Sequence, residues 1–189
     1  MLILASQSPR RREILTNAGI PFLVRAASVP EAQNAGETPH EYVSRLSRSK
    51  AEAVEMFSGE VILGADTVVL LDGKVLEKPA NDRQAREMLH ALSGREHSVL
   101  TGICLRHAAG LVSNVEETRV QFCSLTADEI DQYAGSGEPM DKAGAYGIQG
   151  LASKFIERIN GCYFNVVGLP IALVYRELKR VSGQMSSPG

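Results

Sequence analysis

The first twelve residues place a short apolar run directly before a basic turn that contains proline. The run Leu2–Ala5 is typical of a buried strand, and residues 6–12 read Ser-Gln-Ser-Pro-Arg-Arg-Arg. Ser8 can cap a helix and Pro9 suits its first turn, so a helix is expected to follow the strand with almost no loop. A strand that leads straight into a helix indicates an α/β fold, with the free N–H groups of that turn aimed beyond the strand.

The basic turn favours an anionic ligand. Three arginines stand where the helix dipole disfavours cations, so a bound anion would stabilise the turn. Hydroxyl, backbone N–H and guanidinium groups all suit phosphate oxygens, which makes a polyphosphate the expected ligand of Ser6, Ser8, Arg10 and Arg11. The alternative is a solvated basic helix start. Arg11 disfavours it, because this residue shares a helical face with the apolar Ile14.

The composition permits one substantial folded domain and disfavours binding to nucleic-acid polymers. The chain has 189 residues, of which 44% are hydrophobic, enough for a full core. Lys and Arg number 20 against 22 Asp and Glu, so the net charge of −2 lacks the basic excess of a general nucleic-acid binder. Trp is absent and aromatic residues make up 5%, which disfavours a stacking platform for single strands. A small anionic ligand is expected instead.

The spacing of the cysteines favours reduced thiols, and the apolar segments favour a protein without a signal peptide or membrane span. Cys104, Cys123 and Cys162 are widely spaced and form no C-x-x-C motif, which disfavours a disulfide framework or a zinc site. The apolar start Met1–Ala5 is too short for a signal peptide, and no apolar stretch approaches the length that spans a membrane. We expect a cytoplasmic protein that does not bind membranes.

Strand and helix signals alternate along the chain, and one hairpin signal, Asp72-Gly73, interrupts the alternation. This pattern predicts an α/β fold with a mixed, twisted sheet flanked by helices. We expect a single domain over residues 1–182 and a flexible tail over residues 183–189. The predicted helices are 9–18, 40–57, 81–92, 126–133 and 169–178, and the predicted strands are 2–5, 21–27, 61–71, 74–76, 97–106 and 116–123.

Asp66 interrupts the apolar run Val61–Leu71. An ionised carboxylate in a buried strand is costly unless it is paired, hydrogen-bonded or bound to a metal. Asp66 is therefore a candidate general base or metal ligand. The alternative is a structural aspartate held by backbone N–H groups, which is disfavoured because aspartate is seldom fully buried without a partner.

Lys50 lies on the apolar stripe of the predicted helix 40–57. The stripe consists of Val43, Leu46, Val54 and Phe57. A lysine there must extend to solvent, pair with an anion or face a cleft. Two interpretations stay open, a lysine that only reaches solvent and a lysine that binds phosphate.

Two further segments carry groups suited to a nucleotide. Residues 77–79, Glu-Lys-Pro, end the hairpin strand and are a weak signal by themselves. Residues 141–150 contain three glycines that allow close backbone approach, together with Lys142 for phosphate and Gln149 for a base edge. An ordinary surface loop is the alternative, although its length without regular structure favours function. The histidines form no site, and His97 is interpreted as a surface or structural residue.

Together these segments resemble the Maf family of nucleotide pyrophosphatases. The similarity runs from residue 2 to about residue 180, and several motifs in the right order make it more specific than any one of them. One departure lies at Pro30, where the family often has a second acidic residue, which leaves Glu31 as the only carboxylate there. The matching segments are residues 6–11, 50–51, 64–69, 77–79, 92–97, 101–102, 137–150 and 165–170.

The resemblance implies a Maf-like or inosine-triphosphatase-like fold with two lobes around a central cleft. It also implies hydrolysis of dTTP and UTP to the monophosphate and diphosphate as house-cleaning of nucleotide pools, with Mg²⁺ or Mn²⁺, in a homodimer. Asp66 is the implied proton acceptor, and Arg10, Thr67 and Gln149 are the implied specificity residues, although the residues leave open whether Asp66 is a base or a metal ligand. The expected phosphate ligands are Ser6, Ser8, Arg10, Arg11, Lys50, Lys78 and Lys142, and the expected metal ligands are Asp66, Glu31 and Glu77.

Two alternatives remain at this point. One is a pyrophosphatase for modified or purine nucleotides. The other is a nucleotide-binding regulator of cell division and septum formation with little turnover. Asp66 and the intact lysines disfavour an enzyme that has lost its activity.

Overall fold

The computed structural model describes residues 1–185, in which the predicted alternation of strands and helices is present. The strands are β1 (Leu2–Leu4), β2 (Phe22–Val24), β3 (Val61–Leu71), β4 (Lys74–Leu76), β5 (Glu96–His107), β6 (Gly110–Phe122) and β7 (Ile156–Asn160). The helices are α1 (Pro9–Asn17), α2 (Pro39–Glu52), α3 (Asp82–Leu92), α4 (Ala127–Ala134), α5 (Tyr163–Val167) and α6 (Ile171–Met185), with short 3₁₀ turns at Glu138–Asp141, Ala143–Ala145 and Leu151–Phe155.

All seven strands belong to one sheet, whose order is β2-β1-β3-β5-β6-β7 with β4 paired to β3. β1 is parallel to β2 and β3, whereas β4 runs antiparallel to β3 and β7 runs antiparallel to β6. The predicted mixed sheet is therefore confirmed. The predicted turn between β3 and β4 is also present, with φ of 50° at Asp72 and 76° at Gly73, as a two-residue hairpin turn requires.

The chain divides into two compact units. Among the described residues, the first contains 1–66, 101–116 and 168–185, and the second contains 67–100 and 117–167. One core cluster in the first unit consists of Ile3, Ala5, Ala51, Val54, Ile62 and Cys104. The main core of the second unit includes Leu89, Leu92, Val120, Phe122, Ile130, Tyr133, Tyr146 and Phe155.

Helix α2 packs very closely on the strands of the first unit. A Cβ atom at Gly64 of β3 would overlap the carbonyl of Ser47, and one at Gly102 of β5 would overlap the carbonyl of Val43. Only glycine allows the helix backbone to approach this closely. The two glycines thus fix the distance between α2 and the sheet, and with it the position of the polar side chains that α2 carries.

Helix α2 ends at Glu52 and does not reach Phe57, so the predicted helix 40–57 was too long. The Arg106 guanidinium donates to the carbonyls of Glu52 and Val54 at 3.3 and 3.0 Å, which satisfies groups at the helix C-terminus. Val54 is buried as expected, whereas Phe57 is 52% exposed. The guanidinium of Arg25 lies 4.8 Å from the centre of the Phe57 ring. The predicted apolar stripe therefore ends before Phe57.

Strand β6 begins at Gly110, so its predicted start at Glu116 was too late. The first half of the strand is exposed or half-buried and has no clear apolar alternation that could have predicted it. Strand β7 and helix α5 lie where the sequence analysis assigned little, and α6 begins at Ile171 and continues to Met185. Residues 186–189, the rest of the expected tail, lie outside the described residues. Within residues 1–185, no helix has the length and apolar character needed to cross a membrane.

The three cysteines are free thiols, of which Cys104 is buried and Cys123 and Cys162 are half-buried. Cys104 is fully buried in the core of the first unit. Burial raises the pKa of the Cys104 thiol, which keeps it protonated and inert.

Candidate functional site

The turn between β1 and α1 is ordered by its own hydroxyl groups. The Ser8 hydroxyl accepts a hydrogen bond from the Arg11 backbone N–H at 3.4 Å and caps α1, with Pro9 in the first helical turn. The Ser6 hydroxyl accepts from the Ser8 backbone N–H at 3.2 Å. The predicted cap and the predicted place of proline are therefore confirmed.

Arg11 is buried, as its helical face predicted, and it ties this turn to a distant part of the chain. Its Nε donates to the carbonyl of Gly168 at 2.8 Å, and its Nη1 donates to the Ser6 hydroxyl at 3.0 Å. Burial lowers the pKa of Arg11, while the charge of Asp66 acts in the opposite direction. The guanidinium thus stabilises the turn and places a positive charge near Asp66. Arg10 is half-buried in the same turn.

Lys50 connects two carboxylates of the first unit. Its Nζ lies 2.6 Å from Oδ1 of Asp66 and 2.6 Å from Oε1 of Glu31. Asp66 is 7% exposed, so its charge is compensated by a direct ion pair. The ammonium of Lys50 therefore pairs with carboxylates and does not merely extend to solvent. Its binding to phosphate stays a prediction.

Local packing explains why these three groups meet. The close approach of α2 at Gly64 brings Lys50 to β3, and Asp66 lies two residues after Gly64 on the same face of that strand. The loop before α2 is held by the Tyr42 hydroxyl, which donates to the carbonyl of Glu31 at 2.9 Å. Strand, helix and loop each contribute one charge to the cluster.

In the second unit, the predicted ligand segment 141–150 forms a compact loop with short 3₁₀ turns. Gly144 has a φ of 68°, its N–H donates to the Glu77 carbonyl at 3.1 Å, and a Cβ there would lie 2.8 Å from Val69. Glycine is required at this position for both reasons. The side chain of Gln149 is exposed, and its role in reading a base stays a prediction.

Lys142 takes part in the loop itself. Its Nζ donates to the Glu138 carbonyl and to Oδ1 of Asp141, each at 2.6 Å. Its role as a phosphate ligand stays a prediction. Glu77 and Lys78 are exposed just after β4, and Thr67 is half-buried on β3.

Of the two interpretations of His97, surface or structural, the structural one is confirmed. This residue is only 3% exposed, and its Nε2 lies 2.7 Å from the hydroxyl of Tyr146. Burial lowers the pKa of His97 to about 4, so the imidazole is neutral at pH 7. The signal that identifies it is its place at the start of an inward-facing strand pattern, two residues before the buried Val99.

Within residues 1–185, no group of three or more His, Cys, Asp and Glu side chains is placed to hold a metal ion. Lys50, Asp66 and Glu31 are predicted site residues that the structure brings into direct contact. Their two carboxylates and one ammonium suit proton transfer and the binding of a charged ligand.

Comparison with known proteins gives one family. A family model described as "Maf-like protein" matches residues 1–181. The dTTP/UTP pyrophosphatase of Koribacter versatilis is 51% identical over 95% of this chain and 93% of that protein, and the dTTP/UTP pyrophosphatase of Bacillus mycoides is 47% identical over 98% and 97%. The solved Ham1 protein of Staphylococcus aureus is only remotely similar, with a TM-score of 0.44 and 14% identity over 64% of this chain and 70% of that one.

Proposed function

The chain belongs to the Maf-like protein family, and on this premise we propose that it is a nucleoside triphosphate pyrophosphatase that hydrolyses dTTP and UTP to the monophosphate and diphosphate. Relatives at 51% and 47% identity over nearly the whole chain carry the name dTTP/UTP pyrophosphatase. Such an enzyme removes surplus or unwanted nucleotides from the pool.

The observation that carries the proposal is the buried carboxylate of Asp66, paired with Lys50 at 2.6 Å in the middle of an apolar strand. Burial of a carboxylate costs free energy, and such ionisable side chains are concentrated at functional sites. Asp66 is proposed as the proton acceptor. Lys50 offsets part of the cost of burying this carboxylate.

Phosphate binding is assigned to the hydroxyl and cationic groups of the sequence motifs. A triphosphate carries several negative charges, and guanidinium and ammonium groups are its natural partners. The proposed phosphate ligands are Ser6, Ser8, Arg10, Arg11, Lys50, Lys78 and Lys142. The order of the Ser6–Arg11 turn supports this assignment, because internal hydrogen bonds hold its hydroxyl and cationic groups close together.

Base choice is assigned to Gln149, with Arg10 and Thr67. The amide of Gln149 matches the O4 and N3–H edge that uracil and thymine share, with one donor and one acceptor. Its exposure supports this role. Cytosine presents a different pattern at the same edge, so a Gln149 amide held in one orientation disfavours it.

A divalent cation, Mg²⁺ or Mn²⁺, is proposed to assist. The donor set fits such an ion, because Mg²⁺ typically binds one or two carboxylates together with substrate phosphates. Asp66 and Glu31, whose carboxylates both contact the Lys50 ammonium, are proposed to hold it as the alternative to a base role for Asp66. A ligand role for Glu77 stays a prediction. The bound ion would neutralise phosphate charge and favour the leaving diphosphate.

The chemical step needs only water and the nucleotide as reactants. The water oxygen forms a bond to phosphorus, the P–O bond of the α–β anhydride breaks, and the electron pair of that bond leaves with the diphosphate. Asp66 accepts the proton that water loses. Cationic groups around the triphosphate stabilise the charge that develops in the transition state.

Identification of the products tests the reaction class. Phosphorus NMR of a reaction with UTP is expected to show UMP and diphosphate in equal amounts. UDP with inorganic phosphate would contradict cleavage between the α and β phosphorus atoms. No turnover with either Mg²⁺ or Mn²⁺ would favour a nucleotide-binding regulator.

A homodimer and a cytoplasmic location are proposed from the family resemblance and from the sequence. Equilibrium sedimentation tests the first, with a mass near twice the 20.4 kDa of one chain as the expected result. Fractionation of cells tests the second.

A further inference from the structure

The segment from Glu138 to Leu151 carries Gln149, and one carboxylate joins its two ends. Glu138 accepts a hydrogen bond from the Tyr133 hydroxyl at Oε1, at 3.0 Å. Its other oxygen, Oε2, accepts from the backbone N–H of Leu151, also at 3.0 Å. Both oxygens of this half-buried side chain are therefore used to close the loop.

Tyr133 adds a third fixed point. Its hydroxyl accepts a hydrogen bond from the backbone N–H of Gly147 at 3.3 Å while it donates to Glu138. Burial, followed by the charge of Glu138, raises the pKa of Tyr133, so the hydroxyl keeps the proton that it donates. Gly147 and Leu151 stand two residues before and two residues after Gln149. The pair of side chains thus holds the backbone on both sides of that residue.

The glycines of the loop fit closely around this arrangement. A Cβ atom at Gly150 would overlap the carboxylate of Glu138, and one at Gly147 would lie 2.6 Å from Cε of Lys142. The N–H of Gly150 donates to the carbonyl of Gly147 at 3.2 Å. The backbone around Gln149 is therefore constrained by hydrogen bonds and by close packing together.

We propose that Tyr133 and Glu138 are positioning residues that determine substrate choice, because they fix the backbone on both sides of Gln149. This inference rests on the proposed function. A glutamine amide can rotate to match either uracil or cytosine, and a fixed backbone restricts the positions from which the amide can reach the base. Neither Tyr133 nor Glu138 needs to touch the nucleotide.

Two conservative substitutions test the pair. Tyr133→Phe keeps the ring, which packs 5.5 Å from Phe155, and removes both hydrogen bonds of the hydroxyl. Glu138→Gln keeps the shape and loses one of the two acceptors. In each variant the ratio of kcat/KM for UTP to that for CTP is expected to fall about tenfold, the effect of one hydrogen bond of about 1.4 kcal/mol. The fall should come mainly from a higher KM for UTP, with a smaller change in kcat.

Two further measurements separate positioning from general structure. Hydrogen exchange at the amides of Gly147 and Leu151 is expected to accelerate in both variants. The matched control is Asp131→Asn, which removes an exposed carboxylate of α4 that pairs with Arg86 at 2.6 Å. This control should leave the UTP to CTP ratio and both amides unchanged.

The outcomes distinguish this inference from the function on which it rests. A wild-type protein that hydrolyses UTP and CTP equally well overturns both. A wild-type protein that prefers UTP, with the same preference in both variants, overturns the positioning role alone. Loss of the folded state in both variants, seen as missing thermal transitions, assigns the pair a purely structural role and also overturns the inference.

Discussion

Lys50 and Asp66 form an ion pair with 2.6 Å between Nζ and Oδ1, and the two side chains are only 13% and 10% exposed. Because both charges are largely withdrawn from water, removal of Lys50 leaves the Asp66 carboxylate without its direct ion-pair partner. A second carboxylate, that of Glu31, lies at the same ammonium but is 48% exposed. We therefore expect substitutions at this pair to change both stability and activity.

Asp66→Asn is expected to keep the fold and lower kcat for UTP about 10²- to 10⁴-fold, the usual effect of losing a general base. The shape is retained, and Lys50 keeps Glu31 as a partner. Diphosphate release and thermal unfolding are the measurements. Asp72→Asn, which removes an exposed carboxylate paired with Arg95, is the control and should keep full activity. Retention of most of the activity in Asp66→Asn would remove the catalytic assignment.

Lys50→Met is expected to lower the free energy of unfolding by about 3–5 kcal/mol, because the buried carboxylate of Asp66 loses its ammonium. Urea unfolding measures this. In the double variant Lys50→Met/Asp66→Asn part of the loss should be recovered, since the buried charge of Asp66 is removed together with that of its partner. Arg48→Met is the control on the same helix: its partner is Glu52 and it is 57% exposed, so the expected loss is at most about 1 kcal/mol. Equal losses in the single and double variants would show that the pair is not coupled.

Gly64→Ala is expected to destabilise the protein by about 1–3 kcal/mol or more, because the new Cβ would overlap the Ser47 carbonyl of α2. The displacement of α2 should also lower activity, since Lys50 moves with the helix. Gly183→Ala in α6 is the matched control, as a Cβ there meets nothing within 4 Å. It is expected to stabilise the protein by about 0.5–1 kcal/mol. A harmless Gly64→Ala would contradict the close packing of α2 on β3.

The fold is expected to weaken in mild acid, because His97 takes up a proton more readily in the unfolded chain than in the folded protein. Burial lowers the pKa of His97 from 6.5 to about 4. Between these two pH values the unfolded chain binds the proton and the folded protein does not, so stability falls as the pH falls through this window. The shift corresponds to about 3 kcal/mol. His97→Gln, which does not titrate, should flatten the dependence of the free energy of unfolding on pH in this range.

Carboxylates are not expected to obscure this effect. Pairing with Arg45 and Arg25 lowers the pKa values of Glu37 and Glu60 from 4.5 to about 2. Their contribution is fully present above pH 4.5 and is lost as the pH falls towards 2. The difference between the wild type and His97→Gln in the interval from pH 6.5 to 4.5 therefore reports on His97. Identical slopes there for the wild type and His97→Gln would show that His97 does not control acid stability.

The parts of the fold that follow from local patterns were predictable. The apolar run of β3 and the Asp72-Gly73 turn each carry their own signal, and both lie where the sequence placed them. Strand β7 was missed, and the start of β6 was placed too late. These strands depend on pairing with a neighbour, such as Val120 with Ile159, and not on a strong pattern of their own.

The site was partly predictable for a similar reason. Asp66 and Lys50 stood out because each breaks an apolar pattern, but their 2.6 Å contact depends on how closely α2 approaches β3. The roles of Tyr133 and Glu138 have no pattern in the sequence, because their hydrogen bonds reach backbone groups that only the folded loop presents.

The rate constants for a panel of nucleotides test the proposed function most directly. The values of kcat/KM are compared for dTTP, UTP, CTP, ITP, GTP and 7-methyl-GTP, each with Mg²⁺ and with Mn²⁺, for the wild type and Gln149→Ala. We predict that dTTP and UTP are hydrolysed at least about tenfold more efficiently than the others, a difference of about 1.4 kcal/mol, and that Gln149→Ala narrows this lead over CTP. A preference for ITP or 7-methyl-GTP, or no diphosphate release from any of the six, would contradict the proposed function.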